Sequence, residues 1–179
     1  FYHAGTKQFW GDEIHTFEIA NVHNSFGSFI HGWWNGVTLM QDPPTFYIIS
    51  YINKTLLGNP SSHLLIRLPV ILMGAICLPL IYRFIRNLFN NKYFAILVTA
   101  MCAVSSFAIE YSQEYRPYSM LLLTSLLWFD SVQKICEHLT IRRWLWLFCA
   151  STLLIYTHIF GCLVLVSFYP FWLIVLWQS

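Results

Sequence analysis

Apolar runs and short polar connections alternate along the chain. Four strong apolar segments occupy residues 64–82, 93–109, 117–135 and 144–177. An α-helix needs roughly 20 apolar residues to cross the hydrocarbon core of a bilayer, and the first three segments approach that length. The last is long enough for two helices. The polar step at Thr157-His158, followed by Gly161, divides it into 144–157 and 160–177. Residues 43–57 form a shorter apolar stretch with a polar stripe of Ser50, Asn53 and Lys54. Pro43-Pro44 suits the start of a helix there, and its length suits a helix lying at the interface better than a span. Residues 1–42 mix polar and apolar positions. A helix from about Asp12 to Ser25 is expected, with Gly27 and Gly32 interrupting the pattern beyond it and Trp33-Trp34 anchoring the loop at the headgroup level.

The pattern therefore predicts an all-α protein. A loop over residues 1–63 carries two juxtamembrane helices, and a polytopic transmembrane bundle of about five helices fills residues 64–179. Basic residues give the orientation. Arg83, Arg86 and Lys92 lie between the first two spans, and Lys134, Arg142 and Arg143 lie between the third and fourth. Cytoplasmic connections carry the excess of Lys and Arg, so both turns belong inside. Residues 110–116, 158–161 and the 1–63 loop then share the outer side. If 43–57 crossed the membrane, residues 1–42 would face away from Glu114 and Arg116.

Composition agrees with this reading. Of 179 residues, 57% are hydrophobic and 10% charged, against about 25% charged in soluble domains. A net charge of +2 without a long basic run gives no footprint for nucleic acid. The five cysteines are odd in number, lie in or beside apolar runs and show no C-x-x-C spacing, so they read as small buried hydrophobes. No Gly-rich phosphate loop is present, and the short inner turns leave no room for a nucleotide-binding domain. An activated group would reach this protein through the membrane. The chain opens on Phe1 and closes just after an apolar run, and is expected to be a piece of a longer protein lacking at least one preceding helix.

Against this background, five polar features stand out on the outer side. Asp12-Glu13 places two carboxylates in a first helical turn, where the helix dipole favours negative charge; a partly desolvated carboxylate there can also serve as a general base toward a hydroxyl. Asp42 precedes Pro43-Pro44. Arg67 lies early in an apolar span, a costly position that calls for a partner or a task. It either snorkels to headgroups or binds a lipid phosphate through its planar guanidinium. The run Glu110-Tyr111-Ser112-Gln113-Glu114-Tyr115-Arg116-Pro117-Tyr118 is a very short outer turn dense in reactive side chains, although Glu114 and Arg116 could simply neutralise each other. His158 could contact phosphate, ligate a metal or cap a helix end. Asp12, His15 and Glu18 give only a faint outline of a metal site. Asp130 and Lys134, four residues apart, suit an ion pair at the inner interface. Asn53-Lys54-Thr55 matches a glycosylation sequon by pattern alone.

Taken in order, these features resemble a family. An Asp-Glu pair, an acid-Pro-Pro before an aromatic helix, Arg67-Leu68-Pro69, and Tyr111-Ser112-Gln113-Glu114 leading into Arg116-Pro117-Tyr118 are similar to the membrane-embedded GT-C type glycosyltransferases of the protein mannosyltransferase and aminoarabinose transferase kind. The resemblance implies a polyprenyl-phosphate (dolichyl- or undecaprenyl-phosphate) sugar donor. It also implies a hydroxyl acceptor on a protein, lipid or glycan at the outer or lumenal face of a cell or endoplasmic-reticulum membrane. Asp12 would be the catalytic base, with Glu13 beside it, and Arg67 and Arg116 would hold the donor phosphate. Asp42, Glu114 and His158 are further candidates, Asp42 standing where other members carry Lys or His. No resident metal is assigned; some relatives use a divalent cation, and sugar and acceptor are left open. A transporter would place ionisable groups near the midplane, often within inverted repeats. Here the charges gather at one face, so a transporter or a non-catalytic scaffold is the lesser alternative.

Overall fold

The computed structural model describes residues 8–21, 24–40, 43–58 and 62–168. Among them there are nine α-helices and no strand. Three short helices come first: α1 (Gly11–Asn21), α2 (Phe26–Met40) and α3 (Pro44–Leu57). Then follow α4 (His63–Phe89), α5 (Lys92–Val104), α6 (Ser106–Tyr111), α7 (Tyr118–Glu137), α8 (Ile141–Ile155) and α9 (Phe160–Ser167).

Local chemistry sets most of the boundaries. α3 starts with Pro44 in its first turn and ends at Gly58, whose φ of 65° is the left-handed cap conformation. α4 runs seven residues beyond the apolar segment that predicts it, through Arg83 and Arg86, and stops at Asn90 with φ 49°. A basic residue in the last turn suits the negative end of the helix dipole. The segment expected as one helix over 93–109 is two. Ser105 adopts an extended conformation, and its hydroxyl accepts from the Ala108 amide, capping α6 while ending α5. Asn91 and Thr140 cap α5 and α8 through their side chains. α2 runs straight through Gly27 and Gly32, contrary to the interruption expected there. Packing explains it: Phe29 is fully buried and stacks on Tyr51 of α3 at 4.7 Å, which holds α2 against α3.

Side-chain contacts fix the directions of the long helices. Ile66 and Val70 near the start of α4 pack with Tyr115 in the turn before α7, while Arg83 late in α4 meets Asp130 late in α7. α4 and α7 therefore run parallel, with α5 and α6 as the return. Arg143 early in α8 donates to the Lys134 carbonyl late in α7, and Trp128 donates to Ser151 at 3.0 Å, which together set α8 antiparallel to α7. An apolar cluster of Trp128, Val132, Ile135, Leu147 and Leu154 joins α7 to α8. A second cluster of Phe46, Ile66, Val70, Tyr115 and Met120 joins α3, α4 and α7 at the other end.

Two glycines permit close approach. A Cβ on Gly74 would lie 2.7 Å from the Ser112 Cβ, and one on Gly161 would lie 2.3 Å from the Leu154 carbonyl oxygen. The first brings α4 against the 112–117 turn. The second lets α9 fold back on the end of α8. Of the described residues, only α4 is long and apolar enough to cross a membrane; α5 is a shorter apolar helix. At 1.5 Å per residue, α4 spans about 40 Å. α5 buries only Ala95 and turns Tyr93, Ile96, Leu97, Met101 and Val104 outward. Exposed apolar surface of this extent marks a face made for lipid or for protein.

Candidate active site

The site forms where the start of α1, the start of α4 and the 112–117 turn converge. Glu13 is its hub. Its carboxylate is fully buried, with Oε1 accepting from Arg67 Nε and Nη2 at 3.2 Å each and Oε2 accepting from Nη2 at 2.9 Å. The Tyr115 amide donates to Oε1 at 2.5 Å. The Trp10 amide points at Oε2 at 3.4 Å, so Glu13, third residue of α1, reaches back to the residue before the helix as half of a capping box.

Arg67 is equally buried. Its guanidinium also lies over the Phe9 ring, 4.8 Å from the centroid, and points Nη2 at the Gln8 carbonyl at 3.5 Å. Around the pair sit Phe9, Phe46 and Tyr115, with Phe46 and Tyr115 edge to face at 5.6 Å. In such an apolar shell the pair's attraction largely offsets its desolvation, and removing either partner leaves a charge with no water to accept it.

Asp12 stands in a different environment one residue away. Its side chain is 50% exposed, and Oδ2 lies 3.8 Å from Arg116 Nη2. Arg116 reaches across with a side chain only 12% exposed. Its Nη1 donates to Thr16 Oγ1 at 3.3 Å and approaches the Asp12 carbonyl at 3.5 Å. Buried Thr16 donates its own proton to that carbonyl at 3.0 Å. The first turn of α1 thus meets the 112–117 turn twice, through Glu13 to Tyr115 and through Asp12 and Thr16 to Arg116.

The remaining predicted residues that the structure describes are dispersed. Glu114 is buried in the same turn, its carbonyl accepting from the Arg116 amide at 2.7 Å. His158 is buried between α8 and α9, where Nδ1 accepts from the Phe160 amide at 3.1 Å and the ring sits 6.0 Å from Tyr118. Here it caps the start of α9. Asp42 lies outside the described residues. Asp12, His15 and Glu18 do not gather as a metal site: among the described residues no three His, Cys, Asp or Glu side chains come together to hold an ion. Asn53 donates its side-chain amide to the Leu65 carbonyl at 3.0 Å, tying α3 to α4. Thr45 ties α3 to the end of α8 through its hydroxyl, 2.6 Å from the Tyr156 carbonyl. The expected Asp130–Lys134 pair is present at 2.7 Å, with Arg83 joining at 2.6 Å.

Thr16 and Gly74 were not singled out by sequence. Thr16 stands four residues after Asp12, one turn along the same helix face, and that spacing is the signal that could have found it. Gly74 looks like any other small residue in an apolar helix.

The fold, helical throughout its described residues and with one helix long and apolar enough to cross a membrane, is that expected of a helical membrane protein. More narrowly, the chain belongs to the dolichyl-phosphate-mannose-protein mannosyltransferase family, whose profile matches residues 41–179. The match takes in Arg67, the 112–117 turn and His158, while Asp12 and Glu13 precede it. No curated protein and no solved structure matches the chain.

Proposed function

We propose that this protein is a multi-pass membrane glycosyltransferase that moves a sugar from a polyprenyl-phosphate donor to a hydroxyl acceptor at the outer or lumenal face. The observation that carries the reading is the pairing of a half-exposed carboxylate, Asp12, with Arg116 at 3.8 Å in a chain of this family. Asp12 takes the proton of the acceptor hydroxyl as its oxygen attacks the anomeric carbon. The bond from that carbon to the phosphate oxygen breaks with inversion, and the electron pair leaves on the lipid phosphate. Arg116 holds that phosphate. A cation placed where charge develops is usually the largest single contribution to such a step.

Glu13 and Arg67 take a supporting role in this reading instead of the catalytic and phosphate-binding roles expected from sequence. Glu13 already accepts from one guanidinium and two backbone amides, and Arg67 spends Nε and Nη2 on it. The pair holds the Tyr115-Arg116 backbone beside α1, which places Arg116 against Asp12. The parallel course of α4 and α7 supports the topology, because it brings the Arg83–Lys92 and Lys134–Arg143 turns to the end opposite the site.

The test supplies radiolabelled polyprenyl-phosphate mannose to the protein in membranes together with hydroxyl acceptors. Transfer of label from lipid to acceptor is expected. Arg116→Gln is expected to raise the half-saturating donor concentration about tenfold or more, the worth of one charged hydrogen bond. Label that stays on the lipid with every acceptor class, for mannose and then for other polyprenyl-phosphate sugars supplied in its place, would overturn the reading.

A further inference from the structure

The opposite end of the bundle holds a charged cavity that the transfer reaction does not use. It encloses about 300 Å³ between α4, α7 and α8. Its charged rim is Arg83, Lys134, Arg143 and Asp130, and its wall is apolar, with Trp146 and Leu153 prominent. Three cations against one carboxylate leave the lining at +2. Asp130 cannot neutralise its neighbours: it holds Arg83 at 2.6 Å and Lys134 at 2.7 Å at once, with both cationic side chains about half exposed. Arg143 donates to the Lys134 and His138 carbonyls and lies 3.6 Å from the exposed Glu137. Its first-turn position on α8 adds the positive end of a helix dipole.

We infer that this cavity binds the headgroup of an anionic phospholipid of the inner leaflet, with an acyl chain along Trp146 and Leu153. The inference rests on the topology proposed above, which puts these basic turns on the cytoplasmic side. A charged rim above an apolar wall matches a molecule with a phosphate head and a hydrocarbon tail, and basic pockets between helices on that side suit anionic lipid heads. Free phosphate would satisfy the rim and leave the wall unused. The bound lipid ties the ends of α4, α7 and α8 together, far from Asp12.

Photoactivatable phosphatidylglycerol and phosphatidylcholine probes, added to the purified full-length protein in phosphatidylcholine nanodiscs, test the inference. Phosphatidylglycerol is expected to label the residue 137–146 region several-fold more than phosphatidylcholine. In the triple variant Arg83→Gln, Asp130→Asn, Lys134→Gln, which leaves no lone buried charge, that labelling falls about tenfold. Equal labelling by the two probes in the wild type would overturn the inference without any need for the variant. So would undiminished labelling in a folded triple variant, or complete block by millimolar inorganic phosphate. Asp12→Asn keeps the labelling, so loss of transfer and loss of lipid binding are read separately.

Discussion

Two adjacent acids divide their tasks by burial. Glu13 points inward to Arg67 with no exposed surface, while Asp12 keeps half its side chain in the open. Substituting Arg67→Met leaves the Glu13 carboxylate in an apolar shell and is expected to cost about 3–5 kcal/mol. Pairing it with Glu13→Gln removes both charges and should restore much of that loss in thermal melts. A double variant as unstable as the sum of the singles would show that the two residues are not coupled. The need for a partner at Arg67 is legible in the sequence, because an arginine in an apolar run demands one. Which acid answers is not, since the contact spans 54 positions and depends on how α1 lies against α4.

At the scale of elements, the sequence carries the helices well and their interruptions poorly. Apolar runs announce α4, α7 and α8. The break at Ser105 is hidden, because one serine in an apolar run is equally at home bonded within a continuous helix. The glycines of α2 mislead in the other direction, since contact with α3 overrides their weak helix propensity. Gly74 is the element-scale test. Gly74→Ala forces a Cβ to within 2.7 Å of Ser112, on the turn that presents Tyr115 and Arg116. A loss of about 1–3 kcal/mol is expected, together with reduced transfer. Gly27→Ala meets open space and should be neutral or slightly stabilising. Equal tolerance at both glycines would remove the role given to the α4–turn contact.

For the whole molecule, the two ends differ in chemistry. One gathers Asp12, Glu13, Arg67 and Arg116; the other gathers Asp130 with Arg83, Lys134 and Arg143. Basic turns written in the sequence predict that polarity, and the parallel α4 and α7 agree with it. Leu56 and Leu139 are both strongly exposed and lie toward opposite ends. In a cysteine-free background, Leu56→Cys is expected to react with a membrane-impermeant thiol reagent from the outer side, and Leu139→Cys only after the cytoplasmic side is opened. The reverse pattern would invert the topology and place Asp12 away from an outer-face acceptor.

The most direct measurement is the single-turnover rate of sugar transfer at saturating polyprenyl-phosphate mannose, comparing wild type with Asp12→Asn, with melting temperatures alongside. A catalytic base at Asp12 predicts a rate at least about 100-fold lower in the variant with an unchanged melting temperature, because Asp12 is half exposed and Glu13 keeps the local structure. A folded Asp12→Asn protein that transfers at the wild-type rate would contradict it.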